Sequence, residues 1–122
     1  MRNIAALFSC LALTAGLLVA AEQGEAVKPI KPSEARQQVG TNAVVVGKVA
    51  EVHKSDKVAQ LNFEQKFPKQ DFSAVVFAKN FGVFTNLDTL EGKTVEVNGK
   101  ISEFKGKAQI ILNTKSQLRV VE

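Results

Sequence analysis

Hydrophobic and polar residues alternate over several short segments of this chain, which is the pattern of half-buried β-strands. The clearest case is Lys93–Phe104, where polar residues occupy one face and the other carries Val95, Val97, Gly99 and Ile101. Such strict period-two alternation places one face of a strand in a core and leaves the other outside. The segment therefore predicts a strand that is half-buried along its length.

Four further strands are predicted from Val-, Ile- and Phe-rich runs bounded by turn residues. They are Ala43–Lys54, Val58–Phe63, Phe72–Ala78, and a fifth strand formed by Ala108–Leu112 and Gln117–Val121 with an interruption between them. In the first strand the apolar face resumes at Val52 only if one extra residue is inserted near Ala50-Glu51. We therefore expect a β-bulge there, which would bend a long first strand across both halves of a barrel.

A short helix is predicted before the strands, at Pro32–Val39. Ser33 is placed to cap its N-terminus, Glu34 favours its first turn, and Gly40 is placed to end it.

A second helical segment or turn is predicted between the third and fourth strands. Lys79–Thr89 breaks the strand pattern and carries Phe81, Phe84 and Leu87 at three-residue steps. We expect it to plug one end of the sheet. The resulting order of elements predicts a mainly β protein, a five-stranded Greek-key OB-fold barrel with a short N-terminal helix and a short helical plug between strands three and four. An SH3-like barrel is the structural alternative, but that fold normally lacks a plug of this length.

The first 21 residues differ from the rest and predict a secretory signal peptide. Arg2 supplies a positive charge, Ile4–Val19 is apolar, and small residues follow up to Ala21. Cleavage after Ala21, or alternatively after Ala20, matches the pattern of small residues at such sites. An uncleaved membrane anchor is the alternative, although so short a segment is marginal for spanning about 30 Å of hydrocarbon.

Cleavage divides the chain into a signal peptide (1–21), a polar linker (22–31) and one domain (32–122). The mature chain would contain no cysteine, because Cys10 lies in the removed segment, and its net charge would fall from +4 to +3. A Cys-free chain suits an oxidising compartment. We expect a periplasmic or secreted protein, with no stable membrane anchor after cleavage and monomeric.

Several segments resemble bacterial OB-fold domains of the tRNA-anticodon-binding type. The resemblance rests on Val45–Val49, Leu61–Phe63, Phe72–Phe77, Leu90–Ile101 and Phe104–Leu112, and it extends over about Pro32 to Val121. It implies that the barrel face binds single-stranded nucleic acid or another oligomer. Small periplasmic OB-fold stress proteins share the layout of a signal peptide and one barrel, and fold does not fix function.

OB-folds bind oligonucleotides on the face of strands two and three, between the loops that follow strands one and four. Lysines in and near those loops form a candidate basic rim for phosphates, and Gln60, Asn62 and Ser73 are expected to point away from the core, where they can reach bases. Phe67 is the candidate stacking residue, since the other phenylalanines after residue 21 are assigned to the core. The candidate basic residues are Lys48, Lys54, Lys57, Lys66, Lys69, Lys105 and Lys107.

Other kinds of chemistry find little support in the sequence. Cys10 and His53 are the only soft metal ligands, too few for a zinc site, and the carboxylates form no calcium loop. No nucleophile motif or phosphate-binding glycine loop is present, and His53 is assigned to an exposed strand end. The sequence therefore predicts a non-enzymatic binding module without metal or cofactor.

Single-stranded nucleic acid is the expected partner. A small molecule, a glycan or an envelope protein is the alternative. A third hypothesis is an accessory domain that assists a separate nuclease.

Overall fold

The computed structural model describes residues 28–121. The predicted signal peptide and most of the predicted linker therefore lie outside the described residues. Within residues 28–121, no helix has the length and apolar character needed to cross a membrane.

Six strands account for nearly half of the described chain, and their bounds follow the predicted alternation closely. They are β1 (Asn42–Lys54), β2 (Val58–Phe63), β3 (Phe72–Phe77), β4 (Thr94–Phe104), β5 (Lys107–Ile111) and β6 (Leu118–Val120).

Five of these strands close into a ring. β1 pairs with β2, β2 with β3 and β4 with β5, all antiparallel, while β3 and β5 are parallel. The antiparallel pair of β1 and β4 completes the ring, and β6 adds to β4. The protein is mainly β and its ring of five strands is consistent with an OB-like fold, as the sequence predicts.

The predicted bulge in β1 is confirmed. Residues 42–48 of β1 pair with β4, residues 49–54 pair with β2, and the register with β2 shifts between Val49 and Glu51. The extra residue changes which side chains face outward: after the shift, Glu51 lies opposite Asn62 and His53 lies opposite Gln60. The bulge therefore turns Glu51 towards the outer face of β2.

The predicted fifth strand is divided into β5 and β6. Both pair antiparallel with β4, but residues 112–117 separate them. Gln117 holds this interruption in place, because its Oε1 accepts hydrogen bonds from the backbone N–H groups of Asn113 and Thr114 while its Nε2 donates to the carbonyls of Asn98 and Ile111. The prediction of one interrupted strand is thus corrected to two.

The predicted N-terminal helix is a 3₁₀ helix at Pro32–Gln38. It begins one residue before the predicted cap Ser33, because proline is accepted at the first helical position. Glu34 Oε1 accepts a hydrogen bond from the Lys31 backbone N–H at 2.8 Å. Gly40 follows with φ +95°, the left-handed conformation that ends helices.

The last residues of the predicted linker belong to the fold. Ile30 forms a bridge with Val45, donating its N–H to Val44 O at 2.8 Å and accepting from the Val46 N–H at 3.0 Å. This edge of β1 is free there because β2 pairs only from Val49 onward.

The predicted plug contains two short 3₁₀ helices, Ala78–Asn80 and Leu87–Leu90, joined by turns. Phe84, Leu87 and Leu90 are buried in the core cluster, and the half-buried Phe81 packs against it. The segment therefore contributes apolar side chains to the core between β3 and β4.

Candidate functional site

The outer face of β2, β3 and β5 carries two adjoining clefts of about 390 and 230 Å³. Three residues line both of them, so the clefts form one continuous groove. The first cleft is lined by Gln60, Phe67, Pro68, Gln70, Ser73, Phe104, Lys105, Lys107, Ala108 and Gln109. The second is lined by Val58, Gln60, Val75, Phe77, Phe104 and Gln109. We call this surface the outer groove.

Three exposed phenyl rings stand along the outer groove. Phe67 is 64% exposed, Phe104 58% and Phe77 41%. Phe67 lines the first cleft, Phe77 the second, and Phe104 both. The groove therefore offers apolar ring surface from one end to the other.

Two of these rings correct the assignment of all phenylalanines except Phe67 to the core. Phe77 lies five residues after the buried Phe72, so strand alternation turns it to the opposite face. Phe104 shares the outward face of β4 with Ser102, three residues after the inward Ile101. Phe63, Phe72 and Phe84 are buried as predicted.

The basic side chains of the outer groove are Lys105 and Lys107. Lys105 Nζ lies 5.3 Å from the centroid of the Phe104 ring, within range of a cation–π interaction. Lys107 Nζ donates a hydrogen bond to the backbone carbonyl of Gln70 at 3.0 Å. None of the described residues that line the two clefts is Asp or Glu. The groove therefore has a positive rim on the side of the β4–β5 turn.

The polar residues predicted to contact bases lie on the expected face, but two of them are covered. Asn62 is fully buried and Ser73 is 2% exposed, while Gln60 is half-buried. Ser73 Oγ donates to Asn62 Oδ1 at 2.8 Å, and Asn62 Nδ2 donates to Glu51 Oε2 at 2.8 Å. The prediction that these side chains can reach a ligand is thus corrected for Asn62 and Ser73, which are buried and hydrogen-bonded inside the protein.

Glu51 attaches the loop between β2 and β3 to this face. Its Oε2 accepts a hydrogen bond from the Phe67 backbone N–H at 2.8 Å. That bond and the one from Asn62 hold the pKa of the Glu51 carboxyl below its ordinary value of 4.5, and the charges of Lys66 and His53 act in the same direction. The ionised carboxylate therefore fixes the position of Phe67 at the end of the groove.

The other predicted lysines do not line the outer groove, so the basic rim is smaller than predicted. Lys54 Nζ lies 4.7 Å from the ring centroid of Phe81, on the plug. The bulge explains this, because Lys54 follows Val52 at period two and pairs with the inward Ala59. The remaining ones, all exposed and outside the clefts, are Lys48, Lys57, Lys66 and Lys69.

Sequence reasoning also missed two glutamines of the outer groove. Gln109 alternates with the buried Ala108 and Ile110 on β5, a signal that places it on the outer face. Gln70 lies in the loop before β3 and is 1% exposed. No periodic pattern identifies a loop residue of this kind, because its burial depends on how the loop folds over the sheet.

The donor set of the described residues does not suggest metal chemistry. Among residues 28–121, no group of three or more His, Asp or Glu side chains is arranged to hold a metal ion. His53 is exposed near the end of β1. What the outer groove can do is present aromatic surface, amide groups and two positive charges to one ligand.

Comparisons with known proteins identify the fold. No family model and no curated protein matches the chain. An OBody bound to hen egg-white lysozyme superposes with a TM-score of 0.58 at 20% identity, covering 81% of this chain and 98% of the OBody.

Two tRNA synthetases are similar as well. An asparaginyl-tRNA synthetase from Pyrococcus horikoshii gives a TM-score of 0.57 at 17% identity over 80% of this chain. A putative aspartyl-tRNA synthetase from Leishmania major Friedlin gives 0.55 at 13% identity over 84% of this chain. This chain spans 24% and 22% of those two proteins, respectively. These similarities show an OB-like fold.

Proposed function

We propose that this protein is an exported, non-enzymatic binding module that holds single-stranded nucleic acid in the outer groove. The observation that carries the proposal is the row of three exposed rings, Phe67, Phe104 and Phe77, along one groove whose lining includes two lysines and no carboxylate.

Stacking supplies the attraction for bases. Each of the four bases has a flat π-face, so exposed rings bind unpaired bases with little regard to sequence. In a duplex those faces are already stacked on one another, and the rings have nothing to contact. The outer groove is therefore suited to single strands rather than to duplexes.

Charge supplies the attraction for the backbone. Lys105 and Lys107 are the basic residues of the groove, and Lys105 is exposed. Phosphate contacts of this kind release counterions, so binding weakens as salt rises. With only two such lysines, the salt dependence is expected to be shallow compared with that of large DNA-binding interfaces.

Two further lines support the proposal. The structural neighbours include tRNA synthetases, proteins whose names state that their substrate is an RNA. Export is supported by the signal-peptide pattern of Met1–Ala21.

Fluorescence anisotropy of the purified protein with a labelled oligonucleotide of about 12 nucleotides tests this proposal, since OB-folds cover about 4–16 nucleotides. We expect the single strand to bind more tightly than the matched duplex, and we expect affinity to fall between about 50 and about 200 mM salt. Equal binding of both forms, or affinity that does not respond to salt, would refute the proposal.

A protein partner is the second candidate, and one observation favours it. An OBody among the structural neighbours is bound to a protein, and exposed rings such as Phe67 and Phe104 are also common at protein interfaces. Absence of oligonucleotide binding would favour this candidate, or a glycan or small molecule. Competition by an acidic polysaccharide as strong as that by the single strand would indicate general affinity for polyanions.

A further inference from the structure

The loop between β2 and β3, residues 64–71, is attached to the sheet at both ends. At its start, the Glu64 N–H donates to the Lys48 carbonyl at 2.8 Å, and Glu64 Oε2 accepts from the Lys48 N–H at 3.1 Å. At its end, Gln70 is buried, and its carbonyl oxygen accepts a hydrogen bond from Lys107 Nζ at 3.0 Å. These contacts fix where the loop leaves and rejoins the sheet, and they leave its middle to a separate contact.

Glu51 on β1 provides that contact. Its Oε2 accepts hydrogen bonds from the Phe67 N–H and from Asn62 Nδ2, both at 2.8 Å. Asn62 is fully buried, so the carboxylate is itself held against β2. The bond from the Phe67 N–H is the largest of the causes that hold the pKa of Glu51 below its ordinary value, so the acceptor is ionised at neutral pH. The middle of the loop is therefore bound to a charged oxygen that a buried amide keeps in place.

The residue that Glu51 holds carries the most exposed of the three rings of the outer groove, Phe67. Glu51 itself is not among the described residues that line the two clefts. It therefore acts on the groove through the backbone of Phe67 rather than by touching a ligand there. A ring that is already held in place loses less conformational entropy when a base stacks on it.

We propose that Glu51 is a positioning residue for single-strand binding, which it favours by holding the Phe67 ring at the end of the outer groove; this inference rests on the proposed function. The charge of Glu51 and its positioning role have opposite effects on affinity. A carboxylate near a surface that binds phosphates repels the ligand, so charge alone predicts that removing it strengthens binding. Positioning predicts that loss of the acceptor weakens binding by about two- to tenfold, the range for the ordering of one side chain.

Two conservative variants separate the reach of the side chain from its charge. Glu51→Asp keeps the charge and shortens the side chain by one methylene group, which withdraws the oxygen from the Phe67 N–H. Glu51→Gln removes the charge and keeps an acceptor oxygen at the same reach. In fluorescence anisotropy with a single strand of about 12 nucleotides, we expect Glu51→Asp to bind about two- to tenfold more weakly than the wild type and Glu51→Gln to stay within about twofold of it. Unchanged affinity in Glu51→Asp, or tighter binding by Glu51→Gln, would overturn the proposal.

A double-mutant cycle shows whether the effect passes through Phe67. In a Phe67→Ala background, Glu51→Asp should leave the affinity unchanged, because no ring remains to be held. Phe77→Ala is the matched control, since it removes a ring elsewhere in the same groove. In that background Glu51→Asp should weaken binding by the same factor as in the wild type. Equal losses in the two backgrounds would indicate a general structural defect and overturn the positioning role.

Amide hydrogen exchange provides a spectroscopic signature of the contact. The Phe67 amide should exchange faster in Glu51→Asp than in the wild type, and equal rates would overturn the contact. If Glu51→Asp fails to fold, Glu51→Gln still tests the sign of the effect, because affinity above that of the wild type would show that charge outweighs position. Absence of binding by the wild type would overturn both proposals, whereas wild-type binding with a failed cycle would overturn only the role of Glu51.

Discussion

The two faces of β2 and β3 are built from neighbouring residues of the same strands, yet one face is apolar and buried and the other is largely polar. The inner face carries Leu61, Phe63, Ala74 and Val76, all fully buried in the barrel core. The outer face carries amides, a hydroxyl group and the exposed ring of Phe77. One face thus packs in the core and the other contributes to the outer groove, and the period of two keeps them apart.

Two phenylalanines on β3 show the difference most clearly. Phe72 is fully buried and packs edge-to-face against Phe63, with ring centroids 5.1 Å apart. Phe77 lies near the other end of the strand with 41% of its surface exposed. The same residue type therefore contributes to stability at one position and offers a stacking surface at the other.

The largest effect is expected from removing an inner ring. Phe63→Ala should lower the free energy of unfolding by about 3–5 kcal/mol, because it leaves a cavity in a fully packed core. The outer change Phe104→Ala should alter it by no more than about 0.5 kcal/mol. Urea unfolding of both variants checks the comparison. A loss of similar size in both would show that the outer rings are structural.

Removing an outer ring should instead affect binding. Phe104→Ala should weaken single-strand binding by about 1–3 kcal/mol, the contribution of one stacked base. Val83→Ala is the matched control, since Val83 is an exposed apolar residue outside the outer groove. Anisotropy titrations measure both. If Val83→Ala weakened binding as much as Phe104→Ala, the groove would not be the site.

Acid should weaken the hydrogen bonds of the outer face before it affects the packing of the inner face. Hydrogen bonds from the Phe67 N–H and Asn62 hold the pKa of Glu51 below 4.5, so the carboxylate stabilises the folded state above that pH. This contribution is lost as the pH falls through the lowered pKa. In Glu51→Gln it is absent at every pH, and the variant should therefore lose less stability between about pH 5 and about pH 3 than the wild type.

Thermal unfolding of both proteins across that range measures the difference. Parallel curves would show that Glu51 does not hold the loop to the sheet.

The smallest effect is expected from the exposed lysines. Lys105→Gln should reduce the slope of log affinity against log salt by about 0.7, the value for one phosphate contact on a single strand. Lys54→Gln should leave the slope unchanged, because that ammonium group lies over Phe81 on the plug. Titrations at several salt concentrations compare the two variants. Equal changes in slope would show that Lys54 contacts a phosphate as well as Lys105.

Much of the fold follows from alternation alone. It predicts the strands, the bulge beside Glu51 and the apolar plug, since each depends on local pattern and on which side chains need burial. The same pattern would have placed Phe77 and Phe104 outside and Lys54 with the inward Val52. The two phenylalanines were assigned to the core because they are apolar, and Lys54 to the basic rim because it is charged. The alternation of the strands places all three differently.

The burial of Asn62 and Ser73 could not be predicted in this way. Asn62 and Ser73 are polar residues on an outer face, which alone indicates exposure. They are nevertheless buried, and they are hydrogen-bonded to Glu51 on β1 and to Gln70 in the loop before β3. That arrangement depends on contacts between residues that are distant in sequence, so no local pattern predicts it.

The proposed binding surface is the outer groove and not the plug. Amide chemical shifts of the ¹⁵N-labelled protein, followed while a single-stranded oligonucleotide is added, test it most directly. We expect progressive shifts at Gln60, Phe77, Phe104, Lys105 and Gln109, with residues 83–90 unaffected. Shifts confined to the plug, or no shifts at saturating oligonucleotide, would contradict binding in the outer groove.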